Sequence, residues 1–131
     1  MSALTQLKAA TARASRDRHQ AKFRQLWRVV SPSLSIGEEV TFTNRRWRLD
    51  FGHSVAKVGV EIQGGIWMRK GAHNTGTAIM RDCEKLREAA HLGWLIFPIT
   101  PEAITIKEVT RIACKVAERA AQLADPYKEA R

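Results

Sequence analysis

Residues 45–67, RRWRLDFGHSVAKVGVEIQGGIW, constrain the fold more than any other part of the chain. They read as two strands joined by a short loop. In the first, Trp47, Leu49 and Phe51 alternate with Arg46, Arg48 and Asp50; in the second, Val58, Val60 and Ile62 alternate with Lys57, Gly59, Glu61 and Gln63. Successive strand residues point to opposite faces, so each strand has one apolar and one polar row. With Asp50 opposite Glu61 the apolar rows coincide. The two carboxylates then share the other face, roughly 5 Å apart at the β-carbon. Acids that close repel each other unless a cation or a shared proton separates them. A hard divalent ion, Mg2+ or Mn2+, is the simplest resolution, because both prefer oxygen ligands.

The remaining elements follow from periodicity. Residues 3–30 are rich in Ala, Leu, Gln, Arg and Lys, all good helix formers, with Phe23, Leu26, Trp27 and Val30 on the core side. Pro32 and Gly37 end that helix. EEVTFT, residues 38–43, reads as a strand, with Asn44 and Arg45 in the turn to the next one. Short connections make these three strands an antiparallel meander. MRKGAHNTG, residues 68–76, reads as a basic loop. Residues 77–92 form an amphipathic helix with Ile79, Cys83, Leu86 and Ala90 as the expected buried stripe, stopped at Gly93. WLIFPI, residues 94–99, reads as a buried strand, parallel to the sheet because it follows a helix that itself follows a strand. Thr100 and Pro101 open a last helix over residues 101–123, with Val109, Ile112, Val116, Ala120 and Leu123 inside. The order is α-β-β-β-α-β-α, an α/β (α+β) fold with a mixed four-stranded sheet flanked by helices.

Length and charge narrow the class. The chain has 131 residues, the size of one domain. Its net charge is +9, which points to a polyanion partner. Lys8, Arg13, Arg16, Arg18, Lys22, Arg24 and Arg28 stand against Asp17 alone before residue 31, so seven minus one, +6, lies in the first helix. That helix is either a solvated face or an electrostatic arm along phosphates, with Arg18 and Lys22 well placed for the second role. No apolar run approaches the roughly 18 residues of a spanning helix, so no membrane role is expected. The first residues lack a signal-peptide core, as expected of a cytoplasmic protein. Cys83 and Cys114 are expected to be reduced and buried.

At this point the chain resembles a known family. RRWRLDF, VGVEIQGGIW, RKGAHNTG, DCEKLREAAHLGW and IFPIT together resemble the PD-(D/E)XK nuclease superfamily, and within it a small phage and bacterial branch related to very-short-patch-repair endonucleases. The resemblance covers residues 38–100. It implies a restriction-endonuclease-like core and a cytoplasmic Mg2+-dependent DNA endonuclease, acting by nicking or structure-selective cleavage, with Mn2+ able to substitute. Asp50 and Glu61 would hold the metal with the Ile62 carbonyl. His73 would orient a water or a phosphate oxygen. Arg46, Arg48, Arg69 and Lys70 would hold DNA. Gln63 stands where the family usually has lysine, and Gln20 where it tends to have glutamate. Lys85 either supplies the missing charge or pairs with Asp82 on the helix surface. These two departures set a second reading beside the first: a catalytically weak or inactive DNA-binding module on a nuclease fold. A third, a His-metal nuclease centred on His73 and Asn74, lacks a second His at ligand spacing. One active site cuts one strand, so a double-strand break would need a homodimer or two successive nicks.

Overall fold

A computed structural model describes residues 2–63 and 76–124. Gly64, Gly65, Trp67, Arg69, Lys70, His73, Asn74 and the last seven residues lie outside the described residues. The elements are α1 (Ala3–Val30), β1 (Gly37–Val40), β2 (Leu49–His53), β3 (Val58–Ile62), α2 (Gly76–His91), β4 (Leu95–Ile99) and α3 (Ile106–Ala124), with a 3-10 turn at Pro101–Ala103. Among the described residues the strands form one sheet in the order β1-β2-β3-β4, antiparallel except for the parallel pair β3–β4. The expected α-β-β-β-α-β-α order and mixed four-stranded sheet are therefore present.

Helix α1 starts where Ser2 accepts a hydrogen bond from the Thr5 N–H at 3.1 Å, an N-cap that satisfies one orphan donor. At 28 residues it is about 42 Å long. Its first half, through Ala14, is exposed throughout; Phe23 and Trp27 in its second half are buried. Helices α1 and α3 pack together over the sheet face that carries Phe51, Val58 and Val60, and Ile104, Val109, Ile112 and Val116 complete that core. Gly59 faces the other way. A β-carbon there would meet Leu49 Cδ1 at 2.5 Å, so close packing of Leu49 and Ile96 over β3 requires glycine at this position. The C-terminus of α2 closes with Gly93 at φ +83°, where Gly93 N–H donates to Ala90 O and Trp94 N–H to Ala89 O. That pair of bonds is a Schellman motif, and it turns the chain directly into β4.

Several expectations are corrected. Strand β2 begins at Leu49, and β1 ends at Val40, so Trp47 and Phe42 lie in the connection between them. Phe42 and Trp47 stack on each other at 6.2 Å instead of extending the sheet rows. In α2 the expected stripe is displaced: Ile79, Cys83, Leu86 and Ala90 are exposed, while Ala89 is buried and Lys85 half-buried. Small Ala89 lets the helix approach β4 closely, and long Lys85 spans to the strand ends. Cys83 and Cys114 are free, but both are exposed rather than buried. Leu123 is exposed as well. Helix α3 starts later than residue 101 because Thr105, not Thr100, caps it: Glu108 N–H donates to Thr105 Oγ1.

Candidate active site

The β2–β3 ladder stops at the pair Phe51–Val60, and Asp50 and Glu61 are the next residue of each strand. The β1–β2 ladder pairs Glu38 with Phe51 and Val40 with Leu49, which leaves Glu39 opposite Asp50. Three acids, Glu39, Asp50 and Glu61, thus lie on three neighbouring strands, each next to a paired residue. Their side chains are held differently. Asp50 Oδ2 accepts the main-chain N–H of Ile62 at 2.7 Å. A side-chain oxygen therefore takes a β3 donor just where the paired ladder stops. Asp50 Oδ1 accepts from Gln20 Nε2 of α1 at 3.3 Å, and the same nitrogen donates to Glu39 Oε1 at 3.3 Å. Glu39 adopts φ +50°, a left-handed conformation uncommon for glutamate. Arg24 and Glu38 pair next to this contact and tie α1 to β1.

Glu61 is held by Lys85 of α2. Lys85 Nζ donates to Glu61 Oε1 at 2.7 Å and to the Arg48 carbonyl at 2.6 Å, and both paired side chains are only 17% exposed. Of the two roles open to Lys85, the surface pair with Asp82 is not the one formed. Burial pushes the Glu61 carboxyl above its ordinary range; the hydrogen bond and charge of Lys85 oppose the shift, while Asp50 and Asp82 add to it. Glu61, Gln63, Asp82, Lys85 and Leu86 line one open cleft. Gln63 is fixed at its rim by its N–H, which donates to Ile99 O at 2.8 Å.

The structure thus brings together Asp50, Glu61, Ile62, Gln63 and Lys85. Arg46 and Arg48 precede β2 and are exposed, so strand alternation does not set them on the face of Asp50; only the Arg48 carbonyl touches the cleft residues. Arg18 and Lys22 are exposed on α1, one turn apart. Sequence reasoning missed Glu39 and Asp82 as neighbours of this site. Neither carries a signal in the sequence: Glu39 takes a left-handed backbone outside the paired positions of β1, and Asp82 lies on α2.

Among the described residues no group of three or more His, Cys, Asp or Glu side chains is drawn together at ion-holding spacing. The donor chemistry nonetheless fits magnesium. Mg2+ keeps several waters and is commonly bound through one or two carboxylates. Asp50 and Glu61 are the carboxylates that could serve in this way, and each retains acceptor capacity beyond its present hydrogen bonds. Comparison with protein-family models, curated proteins and solved structures finds no match to the chain.

Proposed function

We propose that this chain is a metal-dependent DNA endonuclease of the PD-(D/E)XK type, hydrolysing phosphodiester bonds by nicking. The observation that carries the reading is the gathering of Asp50, Glu61 and Lys85 where β2 begins and β3 ends: Asp50 accepts the Ile62 N–H and Lys85 donates to Glu61. A cleft lined by Glu61 and Lys85, with Asp50 bonded to the neighbouring Ile62 N–H, on a chain of net charge +9, suits a phosphodiester better than a neutral substrate. Asp50 and Glu61 would hold magnesium. Bound there, magnesium supplies polarisation of the phosphoryl group and a nucleophilic water near neutral pH. Lys85 carries its positive charge into the same cleft, where it stabilises charge developing on the phosphate. Asp50 is kept in place by Gln20 and the Ile62 N–H, so its position needs no reorganisation on binding. Arg46, Arg48, Arg18 and Lys22 serve as phosphate contacts, and His73, Arg69 and Lys70 keep the roles the family resemblance implies.

A plasmid-nicking assay tests this. Supercoiled DNA is expected to convert to open circles with Mg2+ or Mn2+, and to remain intact with a chelator. DNA retention without nicking under any divalent ion would leave the binding module as the correct reading.

The basic helix gives a second test. Neutralised phosphates release counterions, so log affinity falls with log salt by about 0.9 for each phosphate contacted. Arg18→Ala and Lys22→Ala together should lower that slope by about 1.8, twice the single-contact value. Both side chains are exposed, so the fold should not change. An unaltered slope would mean that α1 does not lie along DNA.

A further inference from the structure

The connection between β1 and β2 carries an aromatic column that the nicking chemistry does not use. Trp47 has Phe42 stacked on one side at 6.2 Å with an interplanar angle of 13°. The Arg45 guanidinium lies over the Trp47 ring at 3.9 Å from its centroid. Trp94 closes on Phe42 from the far end, at 6.1 Å. Arg45 is also held by an ion pair to Glu84 of α2, yet its side chain remains 56% exposed. A guanidinium is planar and stacks well on an aromatic ring, and its donors lie in its own plane. With Glu84 taking an in-plane donor and a ring beneath, the plane of Arg45 is preset and still reaches solvent.

This column is tied to the candidate active site. Glu84 and Lys85 are consecutive on α2. Glu84 holds Arg45, while Lys85 holds both the Arg48 carbonyl and Glu61. The two ends of the segment 45–48 are therefore fastened to the helix that also fastens the acid. Arg46 and Arg48, exposed between and beside them, add positive charge without a carboxylate partner in any ion pair of the described residues.

We propose that Arg45, backed by Trp47 and Phe42, is a stacking platform for one unpaired base, so that the substrate is DNA with an unstacked nucleotide next to the cut, such as a bulge, gap or flap. The proposal rests on the DNA-directed reading above and adds the substrate's shape to it. A planar cation on an aromatic pile offers a π-face, which a paired and stacked base cannot use but an extruded one can. Neighbouring Arg46 and Arg48 suit the flanking phosphates. A carboxylate or sulfate ligand would use the charge but gain nothing from the stack.

The test is a binding titration of the full chain with EDTA present, so that cleavage plays no part. Two labelled DNAs of equal length are compared, one continuous duplex and one carrying a single unpaired 2-aminopurine. The wild type should bind the second more tightly and change its 2-aminopurine fluorescence. Arg45→Lys keeps the charge and loses the plane; it should lower affinity for the unpaired DNA by about tenfold, the scale of one base stack, and leave duplex affinity unchanged. Trp47→Leu, which removes the ring under the guanidinium, should act in the same direction. Equal loss on both DNAs, or no preference in the wild type, overturns the platform while leaving the nuclease reading standing. Binding to neither DNA overturns both.

Discussion

Asp50→Asn is expected to abolish magnesium-dependent nicking while leaving DNA binding in place. Asp50 adjoins the last pair of the β2–β3 ladder, and its two oxygens are already oriented by Gln20 and the Ile62 N–H. The asparagine carbonyl can still accept the Ile62 N–H, so the strand end keeps its shape, but the negative charge that would hold a divalent ion is gone. Outer partners of metal ligands already cost 10–100-fold when removed, so loss of a direct ligand should lower nicking by at least about a hundredfold. Asp50→Ala should be equally inactive. It should also be less stable by about 1–3 kcal/mol, because it leaves the Ile62 donor without its partner. Duplex affinity without metal should hold or rise slightly, since one negative charge leaves the surface proposed to bind a polyanion. Nicking by Asp50→Asn at more than a tenth of the wild-type rate would remove Asp50 from the chemistry. The His73-centred alternative would then be the reading to pursue.

The parts of this arrangement that were legible in the sequence are those set by alternation. Val58, Val60 and Ile62 against Phe51 fix the register, because a slip by one residue would turn an apolar row to the polar side. That register sets Asp50 and Glu61 as the residues next to the Phe51–Val60 pair. The same reasoning failed three residues earlier. Leu49 already leaves the row of Phe51 and packs over Gly59 on the other face, and Trp47, next in the same period, stacks with another ring and a guanidinium instead. Alternation cannot report that choice.

Helix α2 shows a different limit. Its apolar residues Ile79, Cys83 and Leu86 form a convincing stripe, yet the side turned inward holds Ala89 and Lys85. Hydrophobic periodicity assumes that the largest apolar side chains decide orientation. Here the close approach allowed by alanine, and the attraction of a lysine to a half-buried acid, decide it instead. The Lys85–Glu61 pair joins residues 24 apart in sequence, and no local pattern encodes it. Glu39 was hidden for a related reason, since its left-handed backbone has no signature in a glutamate side chain.

Lys85→Met carries the second large effect, and its rescue is the informative part. Lys85 Nζ supplies the cation at Glu61, while Gln63, at the position where the resembled family has lysine, lines the same cleft without charge. If Lys85 contributes from α2 the charge that position 63 lacks, methionine, similar in length but neutral, should reduce nicking by about 10²–10³, the loss seen when one preorganised stabiliser of transition-state charge is removed. DNA binding should change little, because a single cation among many phosphate contacts contributes modestly to affinity. Glu61 would meanwhile lose the partner that holds its proton affinity down, while burial, Asp50 and Asp82 continue to raise it. The carboxylate needed for magnesium would then form only at higher pH, so the acidic limb of the pH–rate profile should move upward in Lys85→Met. Adding Gln63→Lys to this variant restores one cation to the cleft from the strand side. The double variant should recover at least tenfold of the lost rate and return the acidic limb towards its original position. Recovery of rate would identify charge in the cleft, rather than the particular helix that presents it, as what the chemistry requires. Unchanged nicking in Lys85→Met would reduce the lysine to a structural tie between α2 and the sheet. Loss of nicking with no rescue by Gln63→Lys would mean instead that Gln63 acts through its own carbonyl, as a ligand that lysine cannot replace.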